Sequence, residues 1–116
     1  MTLRIGIIGY GYWGPNLVRN FNSAEGAQVE MVCDINQQSL KKVRKNYPTV
    51  RVTTDCDELI KDPNIDIVGI ATPVFTHFEL AKKVLQEGKN VFVEKPFTYT
   101  CAEAEELIEL AEKKNL

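Results

Sequence analysis

Short apolar runs alternate along the chain with longer stretches whose apolar residues recur every three or four positions. Ile5 to Ile8 is the first run and reads as a buried strand. A helix pattern follows from near Trp13, with Leu17, Val18 and Phe21 on one face. Val29 to Cys33 is the second strand. Asn36 can cap the next helix, whose inner face carries Leu40, Val43 and Tyr47 until Pro48 stops it. Val50 to Val52 predicts a short third strand, and Asp55 caps a brief helix containing Leu59 and Ile60. Ile65 to Ala71 is the fourth strand. Phe75 to Gln86 is helical, and Gly88 is its natural terminator. Val91 to Val93 is the fifth strand. Thr100 and Glu103 have the spacing of a capping box, and the helix they open is expected to turn Ala104, Leu107, Ile108 and Ala111 inward.

Five strands alternating with five helices predict an α/β protein with a parallel sheet covered on both faces. Right-handed crossovers leave a doubly wound sheet in the order 3-2-1-4-5 as the expected arrangement. A length of 116 residues fits one domain, residues 1–116. The net charge of −2 comes with no basic stripe, so nothing points to nucleic acid or an anionic membrane as partner. No apolar run is long enough to span a bilayer, and Met1 to Arg4 leads straight into a strand, with no room for a signal peptide. Cys33, Cys56 and Cys101 form neither a disulfide framework nor, with the single His77, a metal site. They read as ordinary thiols of a cytoplasmic protein.

The first strand runs into Gly9-Tyr10-Gly11-Tyr12-Trp13-Gly14, a G-x-G-x-x-G turn with a strand before it and a helix after it. Gly9 permits the tight turn, Gly11 lets main chain approach a pyrophosphate, and Gly14 lets the helix pack close to the sheet. The helix N-terminus offers N–H donors and partial positive charge to phosphates. Asp34 ends the second strand 20 residues after Gly14, where a carboxylate can accept both hydroxyls of an adenosine ribose. It would repel a 2′-phosphate, so NAD is expected rather than NADP. Tyr12 and Trp13 at the tip either cover the pyrophosphate, face another domain or, for Trp13, join the core.

Two more polar clusters end the fourth and fifth strands: Ala71-Thr72-Pro73 with His77 beyond it, and Glu94-Lys95-Pro96. With the glycine turn, Ala81 and the later Glu103-Ala104 and Leu107, they give the chain a resemblance to the glucose–fructose oxidoreductase, inositol dehydrogenase and MocA family. The likeness runs from Ile5 to about Ala111. It implies a Rossmann domain that binds NAD or NADP for hydride transfer at a secondary alcohol or ketone of a sugar, nucleotide-sugar or cyclitol. It implies Lys95 as the catalytic lysine, hydrogen-bonding the reacting oxygen, with Glu94 orienting it. It places Thr72, Pro73 and His77 around the nicotinamide ribose, and a cis bond before Pro96. Val74 stands where the family often has Asn, a departure that removes a polar contact near the nicotinamide.

The same resemblance implies a following α+β substrate domain, absent from these 116 residues. The chain is therefore expected to bind cofactor without turnover. An uncovered flank of the fifth strand is expected to favour self-association. The alternative is a non-catalytic NAD sensor acting through a protein partner. A methyltransferase fits poorly, because its cofactor has no pyrophosphate to set against Gly11.

Overall fold

The computed structural model describes residues 1–116. Its strands are β1 (Leu3–Ile8), β2 (Ala27–Cys33), β3 (Arg51–Thr53), β4 (Ile67–Ile70) and β5 (Asn90–Val93). Its helices are α1 (Gly14–Ser23), α2 (Gln37–Asn46), α3 (Cys56–Ile60), α4 (His77–Gln86) and α5 (Cys101–Lys113). The sheet has the order β3-β2-β1-β4-β5, and every pair is parallel. This is the doubly wound Rossmann arrangement that the alternation predicts.

The core divides into two layers across the sheet. Ile5, Ile7, Val29 and Val32 pack against Leu17 and Val18 of α1 and Leu40 and Val43 of α2. Ile8, Met31, Val68 and Ile70 pack against Leu59 of α3, Val84 of α4 and Leu107 of α5. Val29 and Val32 lie three residues apart yet share a face, which strict alternation forbids. The cause is a bulge: Ile5 pairs with Val29 but Gly6 with Met31, so Glu30 is skipped. The Glu30 carboxylate leaves the ladder and pairs with Arg4 at 3.2 Å and Arg51 at 3.5 Å.

The caps follow the sequence. The Asn36 side chain accepts from Gln38 N–H and that of Asp55 from Asp57 N–H. Thr100 and Glu103 form the full capping box. The segment before His77 differs, because Val74–Thr76 is a separate 3-10 turn. β4 is shorter than its apolar run. Asp66 lies ahead of it and brackets Arg4, accepting from its N–H at 2.9 Å and donating to its carbonyl at 2.8 Å. Ile108 is a correction. It is 50% exposed, and Leu107 is the buried residue of α5, with Leu110 and Ala111 packed beside the core.

Asp62 ties three connections together. It accepts from Asn64 N–H at 2.8 Å, pairs with Arg51, and its carbonyl accepts from Lys89 Nζ at 2.8 Å. The Asn64 N–H and, behind it, the Arg51 guanidinium hold its carboxyl below the ordinary value. A depressed folded-state value stabilises the fold above the unfolded value of 3.8, and the contribution is lost as pH falls through the lower one. Asp62→Ala is expected to cost about 1–2 kcal/mol at neutral pH and almost nothing in strong acid, as read by urea unfolding across pH.

Candidate functional site

At the carboxyl edge of the sheet the hydrogen-bond ladder continues one residue past each of four strands. Gly9 N–H donates to Cys33 O and Ala71 N–H to Ile8 O, both at 2.8 Å. Glu94 N–H donates to Ile70 O at 3.0 Å, and Asp34 N–H to Thr53 O at 3.1 Å. These bonds set Gly9, Asp34, Ala71 and Glu94 in a row. A crevice of about 920 Å³ opens above it, and all four residues line it. β1 and β4, where the strand order reverses, meet beneath it, the usual ligand position in open α/β sheets.

The glycine turn has three separate steric demands. Gly9 has φ +101°, and a Cβ there would stand 2.7 Å from the Ala71 carbonyl oxygen. A Cβ on Gly14 would stand 1.9 Å from the Gly9 oxygen, so α1 rests directly on the turn. A Cβ on Gly11 would meet nothing within 4 Å, and Gly11 lines the crevice. Bare main chain therefore faces open space at the position a pyrophosphate needs. The first turn of α1 carries no acidic residue to oppose an anion.

Asp34 binds the turn to β2. Its Oδ2 accepts from Tyr10 N–H at 2.7 Å and its Oδ1 from Asn36 N–H at 2.8 Å. Each carboxylate oxygen can accept a further bond. Tyr10 contributes that N–H, while its ring is buried among the residues packed on α1 and α2. Tyr12 and Trp13 stay at the crevice wall, 93% and 43% exposed, with ring centroids 6.3 Å apart. Trp13 is thus not a core residue.

Ala71, Thr72 and Pro73 form the opposite wall. Thr76 Oγ1 donates to Pro73 O at 2.7 Å, which leaves the Thr72 hydroxyl to donate to Thr76 across 2.6 Å. His77 departs from its expected place beside the nicotinamide ribose. It is 1% exposed and does not line the crevice. Its Nε2 lies 2.8 Å from Thr72 O, and its Nδ1 lies 2.9 Å from Pro96 O and 3.2 Å from Phe97 O. His77 is a strut between the loops that follow β4 and β5.

The Lys95–Pro96 bond is cis, and Lys95 is exposed, off the crevice wall. Glu94 lines the crevice, but its Oε1 accepts from the main-chain N–H of Lys95 at 3.2 Å. It fixes the backbone at Lys95, not the ammonium. Sequence reasoning missed Ile35, Phe75, Cys33 and Cys56 on the lining. Ile35 directly follows Asp34 and is 87% exposed. An apolar residue just past the carboxylate that follows β2 was the available signal. The two cysteines are 23 residues apart, and nothing in the spacing joins them.

The model of an oxidoreductase family with an NAD-binding Rossmann fold, GFO_IDH_MocA, matches residues 3–116. The chain belongs to the Gfo/Idh/MocA family. It is 41% identical over 112 residues to the uncharacterised oxidoreductase YdgJ of Escherichia coli K12, covering 95% of this chain and 31% of that protein. It is 30% identical over 114 residues to the myo-inositol 2-dehydrogenase of Thermotoga maritima, covering 98% of this chain and 34% of that protein. Among solved structures, GenD2 from gentamicin A biosynthesis, in complex with NAD, superposes with a TM-score of 0.94 at 27% identity. That match covers 99% of this chain and 33% of GenD2. The chain thus spans about a third of the length of these relatives, and the part it spans is a Gfo/Idh/MocA NAD-binding domain. No helix in it is long and apolar enough to cross a membrane.

Proposed function

We propose that this domain holds NAD for hydride transfer to or from a secondary alcohol carbon of a sugar, nucleotide-sugar or cyclitol. The observation that carries the reading is the open main chain at Gly11 beside the Asp34 carboxylate. Bound NAD supplies the hydride acceptor or donor. The Gly9–Gly14 turn and the start of α1 take the pyrophosphate. Asp34 accepts the ribose hydroxyls and repels a 2′-phosphate. Thr72 and Pro73 wall the nicotinamide end. The Lys95 ammonium donates to the reacting oxygen and stabilises charge developing on it. A reducing, cytoplasmic setting belongs to the same proposal, since three cysteines at these spacings make no disulfide framework.

Turnover needs a second, substrate-shaping domain. Phe97 and Ile108, exposed apolar residues on the flank beside β5 and α5, support one packing there. The myo-inositol dehydrogenase relative supports a polyhydroxylated substrate.

NADH fluorescence titration of this chain is expected to give saturable binding, weaker for NADPH. Asp34→Ala should lower NADH affinity about tenfold to a hundredfold and erase the preference. In the complete protein Lys95→Ala should lower kcat about 10²–10³-fold. Equal binding of the two cofactors by the unaltered chain would remove Asp34 from its role. The exposed position of Lys95 favours one other reading, an NAD sensor without turnover. A complete protein that binds NADH tightly and turns over no polyol or sugar would establish it.

A further inference from the structure

Cys33 closes β2 and is fully buried, while Cys56 opens α3 and is half-buried. Their Sγ atoms lie 3.3 Å apart, and both residues line the crevice. Cys101 is exposed at the start of α5. Sharing a hydrogen bond splits the two thiols. The bond to Cys56, then burial, pushes the Cys33 thiol up. Receiving that bond pushes Cys56 down, against burial and the nearby carboxylates of Asp55 and Asp57. Cys56 is therefore the more acidic thiol of the pair, and it is also the one with access to solvent.

We propose that Cys33 and Cys56 are a peroxide-sensitive pair that closes to a disulfide and loosens the grip of the crevice on its dinucleotide. The Cys56 thiolate attacks one oxygen of hydrogen peroxide. The O–O bond breaks, leaving a sulfenic acid on Cys56 and a hydroxide that is protonated to water. The Cys33 sulfur then attacks the Cys56 sulfur, the S–O bond breaks, and the departing hydroxide leaves with the Cys33 proton as water. Two thiols and one peroxide give one disulfide and two waters, with two electrons passing from the sulfurs to the peroxide. Only Cys56 has to meet the oxidant, so the burial of Cys33 is no obstacle.

The consequence for binding rests on the dinucleotide reading above. A disulfide needs sulfurs about 2.05 Å apart, so this pair must close by roughly 1.2 Å. β2 is held between β1 and β3, whereas α3 has five residues, so α3 and the connection ahead of it move. That connection leaves β3 directly after Thr53, whose carbonyl accepts the Asp34 N–H and whose hydroxyl accepts from Asp55 N–H and donates to Glu58 of α3. Closure therefore shifts the anchor of the residue that grips the ribose.

The test starts with the Cys101→Ser chain, treated with hydrogen peroxide and mapped as peptides without reductant. The expected product joins the Cys33 and Cys56 peptides and disappears with a dithiol reductant. In Cys33→Ala the intermediate should persist and be trapped on Cys56 by dimedone. NADH affinity should fall about tenfold on oxidation and recover on reduction, with no change in Cys56→Ser. Failure of the crosslink to form, with Cys56 unreacted or over-oxidised, overturns the pair. A crosslink that leaves NADH affinity unchanged overturns the regulatory step. NADH binding by the reduced chain is measured separately, so failure of the dinucleotide reading is seen on its own.

Discussion

Replacing Gly14 by alanine is expected to destabilise the domain by about 3 kcal/mol or more, the upper range for forcing an extra carbon into packed structure. The added Cβ would stand 1.9 Å from the Gly9 oxygen and 2.7 Å from the Gly9 carbonyl carbon. Both are main-chain atoms, so no side chain can swing aside. Gly9 cannot readily retreat either, since its N–H is bonded to Cys33 O and the Ala71 carbonyl closes the space beside it, 2.7 Å from where a Cβ would stand. The helix must lift from the turn and uncover Leu17 and Val18. Gly11→Ala is the matched control. Its Cβ meets no atom within 4 Å, so the melting temperature should stay near that of the parent chain. The same Cβ enters the crevice, so NADH affinity should fall while the fold survives. Thermal unfolding and NADH titration of the two variants separate the effects. A Gly14→Ala chain that melts with the parent would show that α1 does not depend on contact with the turn.

The second large effect is expected at His77. Each ring nitrogen faces a carbonyl oxygen, Thr72 O on one side and Pro96 O with Phe97 O on the other. His77→Leu fills similar space and removes every donor. A part-buried carbonyl that loses its donor costs about 1–3 kcal/mol, so a loss in that range in urea unfolding is expected. The loss should be uneven. The segment from Lys95 to Thr100 is joined to the 3-10 turn region through His77, so limited proteolysis should cut there first. His77→Gln, which keeps a donor, should recover part of both effects. Uniform proteolysis across the variant would show that the strut holds no particular loop.

The order of strands and helices was legible because β1, β2 and β4 are apolar runs and the longer helices have one-sided stripes, patterns that burial on both sheet faces enforces, while the short β3 showed only as an alternation around Arg51. The glycine turn and Asp34 were legible because their demands are local, set by main-chain clearance and by the end of one strand. Contacts made by the fold between distant segments were not. Glu30 hid a bulge that moves Val32 onto the face of Val29. His77 follows Thr72-Pro73 so closely that it reads as a pocket residue, and only the returning loop at Pro96 and Phe97 shows what claims its ring. The meeting of Cys33 and Cys56 depends on parallel pairing of β2 with β3, which sets the start of α3 beside the end of β2. Ile108 misled by sharing the helical period of Leu107 while sitting one step around the axis, toward solvent.

The row of Gly9, Asp34, Ala71 and Glu94 separates two kinds of parts. Inter-strand amide bonds fix the floor, and those bonds are indifferent to side-chain identity. The side chains standing above it, at Tyr12, Ile35, Thr72 and Phe75, hang from loops and can be exchanged singly. A lineage could therefore retune which dinucleotide it prefers by substitution along the rim, with no renegotiation of the scaffold below.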